Sequence, residues 1–174
     1  MHNIMIDLET MGQSSQAAII ALGAVTFGPE GLGDEFYETI DLQSSMDTGG
    51  IVDASTVLWW MRQSDAARAE FKKKGKHITS VLMAFSAWIM LMPDVKVWGN
   101  GASFDNVILG SAHGRQHLEI PWKFWNDRCY RTVKAAHPGV PAVKSGTAHN
   151  ALDDAKTQAL HLIAINLMFP GYVC

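Results

Sequence analysis

The stretch Ile4-Met5-Ile6-Asp7-Leu8-Glu9-Thr10 is an apolar run that ends in two carboxylates. It predicts a buried strand, and because side chains two residues apart share one face of a strand, Asp7 and Glu9 should lie side by side. Two like charges at the end of a buried strand are costly unless cations or protons neutralise them. The spacing therefore indicates a site for hard divalent metal ions, and a metal-dependent enzyme is the leading hypothesis.

The rest of the chain predicts a sheet and several helices around this first strand. Apolar alternation and turn residues predict strands over 3–9, 18–27, 34–41, 95–99 and 127–133. Helices are predicted over 53–62, 64–71, 78–92, from about 103 and over 150–168, with a loop over 137–147. Strands first and then alternating helix and strand indicate an α/β or mixed-sheet layer architecture.

Two further acids are placed near the first pair by this outline. Asp105 would lie in the first turn of the helix that follows the fourth strand, and Asp154 would lie near the start of the last helix. Strand ends and the helices packed on them meet at one edge of an open sheet. Four carboxylates there could hold two cations roughly 4 Å apart, an arrangement that supports phosphoryl transfer.

His149 is the candidate general base, because it lies at the junction between a loop and the last helix. The five residues to Asp154 turn a helix by about 140°, so both side chains reach one site only if His149 lies in the preceding loop. Histidine titrates near neutral pH and can accept the proton of a metal-polarised water. With Asn150 as N-cap, Asp153 falls in the first turn, where capping explains its carboxylate; Asp154 has no such explanation.

Size and composition are those of one domain spanning 1–174. The chain has 174 residues, 48% of them hydrophobic, and a formal charge of −3. Two bound divalent ions would move that charge to about +1, so an anionic substrate is not excluded. Cys129 and Cys174 form no metal or redox motif, which indicates reduced thiols in a cytoplasmic protein. The longest apolar stretch, 81–93, is too short to span a bilayer.

Three motifs in order resemble a known family. Asp7-Leu8-Glu9-Thr10 is similar to its first motif, Asn100-Gly101-Ala102-Ser103-Phe104-Asp105 to its second, and His149-Asn150-Ala151-Leu152-Asp153-Asp154 to its third. Together they resemble the signature of the DEDDh, or DnaQ-like, 3′-to-5′ exonucleases, across nearly the full chain. One Asp-x-Glu pair would be weak support, whereas three motifs in the right order are specific.

The resemblance implies an α/β, RNase H-like fold with a five-stranded mixed sheet flanked by helices. It also implies two Mg²⁺ or Mn²⁺ ions and release of nucleoside 5′-monophosphates from the 3′ end of single-stranded DNA or RNA. It makes the four acids the metal ligands and His149 the general base; those acids are Asp7, Glu9, Asp105 and Asp154. Thr10 and Met11 match positions that usually line the terminal nucleotide. The alternative is a non-catalytic module of the same fold that binds nucleic acid or docks a partner.

The segments 53–64 and 128–132 are most similar to a compact phage and bacterial branch of that family. The branch includes exonuclease A-type and exonuclease VIII-like proteins and a 3′-to-5′ exoribonuclease group, so it leaves DNA and RNA both open. Its members often form homodimers, and the Trp-rich helices would supply an apolar interface.

Other residues have both a functional and a structural interpretation. Trp59 and Trp60 point about 100° apart on a helix, so one should pack in the core while the other could stack on a base. Phe104 could wedge against a base or fill the core. The lysine run at 72–76 could attract phosphates or form a solvated helix end. Arg128 and Arg131 could hold phosphates or brace the sheet.

Overall fold

The computed structural model describes residues 2–142 and 146–173, and a five-stranded mixed sheet lies at its centre. The strands are β1 Asn3–Thr10, β2 Ile19–Gly28, β3 Gly31–Thr39, β4 Lys96–Gly99 and β5 Asp127–Cys129. Their spatial order is β3-β2-β1-β4-β5. β1 runs antiparallel to β2 and parallel to β4, and β4 runs parallel to β5. The predicted α/β class with a five-stranded mixed sheet is confirmed.

Seven α-helices flank this sheet in the described part of the chain. They are α1 Leu42–Asp47, α2 Ala54–Met61, α3 Asp65–Arg68, α4 Ile78–Ile89, α5 Asp105–Arg115, α6 Tyr130–Ala136 and α7 Ala151–Met168. Short 3₁₀ helices cover Ala69–Lys72 and Phe124–Asn126. Ser64 is the N-cap of α3, since its hydroxyl accepts a hydrogen bond from the Ala67 N–H.

The central strand β1 divides the core into two layers. Its even-numbered side chains, such as Ile6, pack with Phe85 of α4 and Ile108 of α5. Its odd-numbered Met5 packs on the other face with Leu162 of α7. Because strand positions alternate between faces, Asp7 and Glu9 continue the odd series and lie on the side of α7.

The predicted fifth strand over 127–133 is wrong beyond its third residue. β5 ends at Cys129 because its neighbour β4 ends at Gly99, the residue with which Cys129 pairs, so no partner backbone remains. The chain then enters α6, in which Tyr130 and Val133 are buried at helical spacing.

The helices α4 and α1 also differ from the predictions. α4 ends at Ile89 instead of 92, because Met90 and Leu91 are 75% and 79% exposed and gain nothing from continuing the helix. α1 was not predicted at all; its N-cap Asp41 accepts a hydrogen bond from the Ser44 N–H at 2.8 Å.

Two sequence predictions concern the environment of the chain. Within the described residues, none of the helices combines the length and apolarity needed to cross a membrane. Cys129 is a half-buried free thiol. Cys174 and the part of the predicted loop at 143–145 lie outside the described residues.

Candidate active site

The first pair of carboxylates lies at the end of the central strand. Asp7 is half-buried and Glu9 is 6% exposed. Asp7 faces Gly23 in the antiparallel register with β2. The structure therefore places both acids between the sheet and α7.

Asp105 is the first residue of α5, next to the end of β4. Its carboxylate is 2% exposed, and its Oδ1 accepts a hydrogen bond from the Leu8 N–H at 3.3 Å. Its Oδ2 is buried and has no hydrogen-bond donor within the described part of the chain. An orphaned, buried carboxylate oxygen is costly, and a cation would satisfy it.

The start of α7 brings the third motif to the same edge. A Cβ at Gly23 would overlap the backbone of Ala151 and Leu152, so the glycine lets the helix lie directly on β2. Asn150 is the N-cap, as predicted, and its Oδ1 accepts a hydrogen bond from the Asp153 N–H at 3.1 Å.

Asp153 and Asp154 make different contacts, as the capping argument predicts. The Asp153 carboxylate accepts the Thr147 N–H at 2.7 Å, a local contact before the helix. The half-buried Asp154 accepts the His149 N–H at 2.9 Å and turns towards β1. The Asp154 carboxylate lies close to that of Glu9.

His149 lies outside α7 in the left-handed region, at φ 64°, so the predicted position in the preceding loop is confirmed. One ring nitrogen of His149 and one carboxylate oxygen from each of Glu9 and Asp154 all lie within 4.8 Å of one another. The imidazole also packs edge-on against Trp59 and Trp60, with ring centroids 4.9 and 5.9 Å away. The ring is thus held beside the carboxylates by the aromatic pair.

Burial and neighbouring charges shift the pKa values of two of the four acids. Burial, followed by the charges of Asp105 and Glu9, raises the pKa of the Asp7 carboxyl well above its usual value, and Asp154 adds to the shift. Burial raises the pKa of Asp105 to about 6, although the Leu8 N–H favours its ionised form. Carboxylates that repel one another in a buried site, one of them with an orphaned oxygen, fit hard divalent cations.

A groove of about 220 Å³ opens beside this cluster. It is lined by Leu8, Glu9, Thr10, Gly12, Gln13, Thr56, Trp59, Trp60 and Phe104. Trp59 is 42% exposed and Phe104 is half-buried. Both therefore offer ring surface next to the carboxylates.

Two other residues predicted to contact substrate are mostly buried. Trp60 is 4% exposed, and its indole N–H donates to the Thr10 carbonyl at 2.9 Å. Met11 is 9% exposed and packs with Trp60 and Ile20. Both side chains therefore lie behind the groove and support it, and Trp60 also forms part of its lining.

Gln158 was missed by the sequence reasoning. Its Nε2 donates to Asp7 Oδ1 at 2.7 Å, and its side chain is 6% exposed. A signal was available, because Gln158 follows Asp154 by four residues and such pairs share one face of a helix.

The two arginines left open by the sequence have distinct contacts. Arg128 donates to the carbonyls of Trp125 and Asp127, and so braces the turn before β5. Arg131 donates to the Asn100 carbonyl at 2.6 Å, inside the second motif. Its charge is also one of the weaker influences that favour ionised Asp105 by lowering the pKa.

Sequence comparisons find a matching family and a relative in a phage. A family model for the Rv2179c-like 3′-5′ exoribonuclease domain matches residues 2–166. The exodeoxyribonuclease of Enterobacteria phage T4 is 28% identical over 162 residues, covering 76% of this chain and 70% of the phage protein.

Comparisons of structure show the same fold. The zinc-bound complex of E. coli ExoI with single-stranded DNA gives a TM-score of 0.74 at 13% identity over 97% of this chain, which spans 41% of that chain. The nuclease domain of 3′hExo, a DEDDh family member bound to rAMP, gives 0.63 at 14% identity and covers 98% of this chain and 92% of that one. The expected RNase H-like fold is therefore confirmed.

Proposed function

Because the chain belongs to the Rv2179c-like 3′-5′ exoribonuclease domain family and is a 3′-5′ exonuclease of the DEDDh type, we propose that it hydrolyses single-stranded nucleic acid from the 3′ end with two divalent cations. The products are nucleoside 5′-monophosphates. The observation that carries this proposal is the buried Asp105 oxygen without a donor in the described chain, at the edge where the other three carboxylates meet.

The metal ligands in this proposal are the four acids Asp7, Glu9, Asp105 and Asp154. Mg²⁺ or Mn²⁺ held there would polarise the attacking water and stabilise the charge on the scissile phosphate. The carboxylates would fix the positions of the cations, since they come from a strand end and two helix starts that the sheet holds together.

The general base in this proposal is His149. The Asp154 carboxylate holds its backbone N–H, and the rings of Trp59 and Trp60 restrict its imidazole. One ring nitrogen near Glu9 and Asp154 is then available to accept a proton from a water bound at those carboxylates. Because these contacts fix both backbone and ring, the base needs little reorganisation before it acts.

The groove beside the carboxylates would take the 3′-terminal nucleotide. Trp59 and Phe104 offer ring surface, and base stacking on an aromatic side chain is worth roughly 1–3 kcal/mol per base. Stacking requires an unpaired base, which favours single-stranded ends. Thr10 lines the groove, while Trp60 and Met11 support its wall.

The sugar preference is a separate question, because the matching family is named for an exoribonuclease and the phage T4 relative for an exodeoxyribonuclease. RNA recognition depends on contacts to the 2′-hydroxyl. Degradation of DNA and RNA oligonucleotides of the same sequence, run side by side, decides between them. Homodimer formation stays a prediction from the family resemblance, and sedimentation of the purified chain tests it.

Replacing Asp154 tests the proposal directly. Asp154→Ala should abolish Mn²⁺-dependent release of mononucleotides from a 3′-labelled oligonucleotide, because one metal ligand is lost while the helix is kept. Circular dichroism should show that the variant stays folded. The matched control is the adjacent Asp153→Asn, whose side chain can still accept the Thr147 N–H, and it should retain activity. Wild-type activity in Asp154→Ala would sink the assignment.

A further inference from the structure

One face of α7 carries two residues that turn towards β1. Asp154 and Gln158 are four residues apart, so they lie one turn above the other on the same side of the helix. Gln158 reaches across to the strand, where its Nε2 donates to Asp7 Oδ1 at 2.7 Å. It therefore contacts one of the proposed metal ligands directly.

The hydrogen bond restricts the carboxylate it touches. Asp7 lies near three other acids, and their repulsion alone would drive its carboxylate to rotate away from them. An N–H held at Oδ1 fixes that rotation. Oδ2 and the second lone pair of Oδ1 then keep one orientation.

The residue type matters as much as the contact. A lysine or arginine at this position would also donate a hydrogen bond, but its positive charge would neutralise Asp7 and compete with a cation. Glutamine donates an N–H and leaves the negative charge of the carboxylate in place.

The other end of the same amide carries a cost. Gln158 Oε1 is buried, and no donor for it lies within the described residues. An unsatisfied buried carbonyl oxygen destabilises a fold. An apolar side chain of the same length would avoid that cost, which offsets the stability contributed by the N–H bond to Asp7.

We propose that Gln158 is a positioning residue of the metal site, which orients the Asp7 carboxylate for a divalent cation without adding charge. This inference rests on the proposed function. It predicts that removing the amide lowers the metal affinity and does not lower the stability of the metal-free protein.

The test is Gln158→Met, which keeps the length of the side chain and removes both the N–H and the carbonyl of the amide. Mn²⁺ binding, measured by calorimetry, should weaken by about 10- to 100-fold, the usual effect of losing a partner of a metal ligand. The urea midpoint measured with EDTA should stay the same or rise. Gln158→Leu serves as a second apolar variant if the methionine variant does not fold.

The matched control is Gln43→Met. Gln43 Nε2 also donates to an aspartate, Asp47 Oδ1, at 2.8 Å, but on the exposed surface of α1. It should change neither Mn²⁺ affinity nor the urea midpoint by more than the error of measurement.

Each outcome separates the two proposals. Equal Mn²⁺ affinity in the wild type and Gln158→Met overturns the positioning role and leaves the proposed function standing. A lowered urea midpoint together with weaker Mn²⁺ binding overturns it as well, because Gln158 would then maintain the fold. Absence of Mn²⁺ binding in the wild type would overturn the metal-dependent function and the positioning role with it.

Discussion

At the scale of one residue, Asp105 shows the cost of burying a negative charge in the site. Its carboxyl group is buried, and burial raises the pKa to about 6 from the ordinary value of 3.8. Between these two pH values, the folded protein without metal keeps a proton that the unfolded chain has already released. Its free energy of unfolding therefore falls as the pH rises from about 4 to about 6.

Asp105→Asn should remove much of this pH dependence. In the presence of EDTA, the wild type should lose on the order of 2–3 kcal/mol more stability than the variant between pH 4 and pH 7. Urea denaturation at four pH values in that range measures the difference. The asparagine variant is the reference, since the remaining acids titrate in both proteins. Parallel curves of unfolding free energy against pH would contradict this prediction, because the buried charge of Asp105 would then have no effect on stability.

The five motif positions could be predicted at this scale because their spacing is constrained by chemistry. Asp7 and Glu9 stand two apart on a strand, and His149 needed a place outside the helix to reach the same site as Asp154. Gln158 could not be ranked in the same way. A glutamine on a helix has many ordinary explanations, so its spacing of four residues from Asp154 is a weak signal. The contact with Asp7 is what distinguishes it.

At the scale of elements, the contact between α7 and β2 sets the position of the third motif. Gly23 lies opposite Asp7, and the first turn of α7 rests on it. A side chain there must push the helix outward, which would carry Asp154 away from Glu9.

Gly23→Ala should therefore destabilise the protein and damage the site together. Overpacking of this kind costs about 1–3 kcal/mol, and Mn²⁺ affinity should fall with it. Gly114→Ala in α5 is the control, because a Cβ at Gly114 meets no atom within 4 Å. It should be neutral or stabilise by up to about 1 kcal/mol. Thermal unfolding and calorimetry report both effects; unchanged Mn²⁺ binding in Gly23→Ala would contradict the argument.

Elements were predictable where apolar periodicity marks them and were missed where polar contacts decide. The buried residues of α1 are Ser44 and Ser45, whose hydroxyl oxygens accept the N–H groups of Ile78 and Ile19. A helix that buries serines leaves no apolar pattern. The length of β5 depends on where β4 ends, which is a property of a partner strand and is not written in the sequence of β5 itself.

At the scale of the whole molecule, the formal charge of −3 does not describe the surface beside the site. Arg131 and Lys134 lie three residues apart on α6 and line a cavity of about 660 Å³ with Asn100 and His137. No carboxylate is found among the described residues that line it. The lysine run offers a second basic surface, where Lys73 lies 5.2 Å from the centroid of the Tyr37 ring.

The two basic surfaces can be distinguished by salt dependence. With single-stranded DNA and the inactive Asp154→Ala background, Lys134→Gln should reduce the slope of log K against log salt by about 0.7, the value for one phosphate contact. Lys73→Gln should leave that slope unchanged, because we expect the lysine run to be a solvated helix end that does not contact the DNA. Fluorescence anisotropy at several salt concentrations measures both. The reverse result would show that the single-stranded DNA contacts the lysine run at 72–76.

The hydrogen bond between Gln158 and Asp7 joins residues 151 positions apart, and the bond between Leu8 and Asp105 joins residues 97 apart. Contacts of such long range form late in folding, because the intervening chain must first lose its conformational entropy. During synthesis, α7 leaves the ribosome after every strand of the sheet. If the proposed function holds, a chain still being made carries three of its four proposed cation ligands, because Asp154 comes with α7. We then expect it to cut nucleic acid only after the last helix has docked.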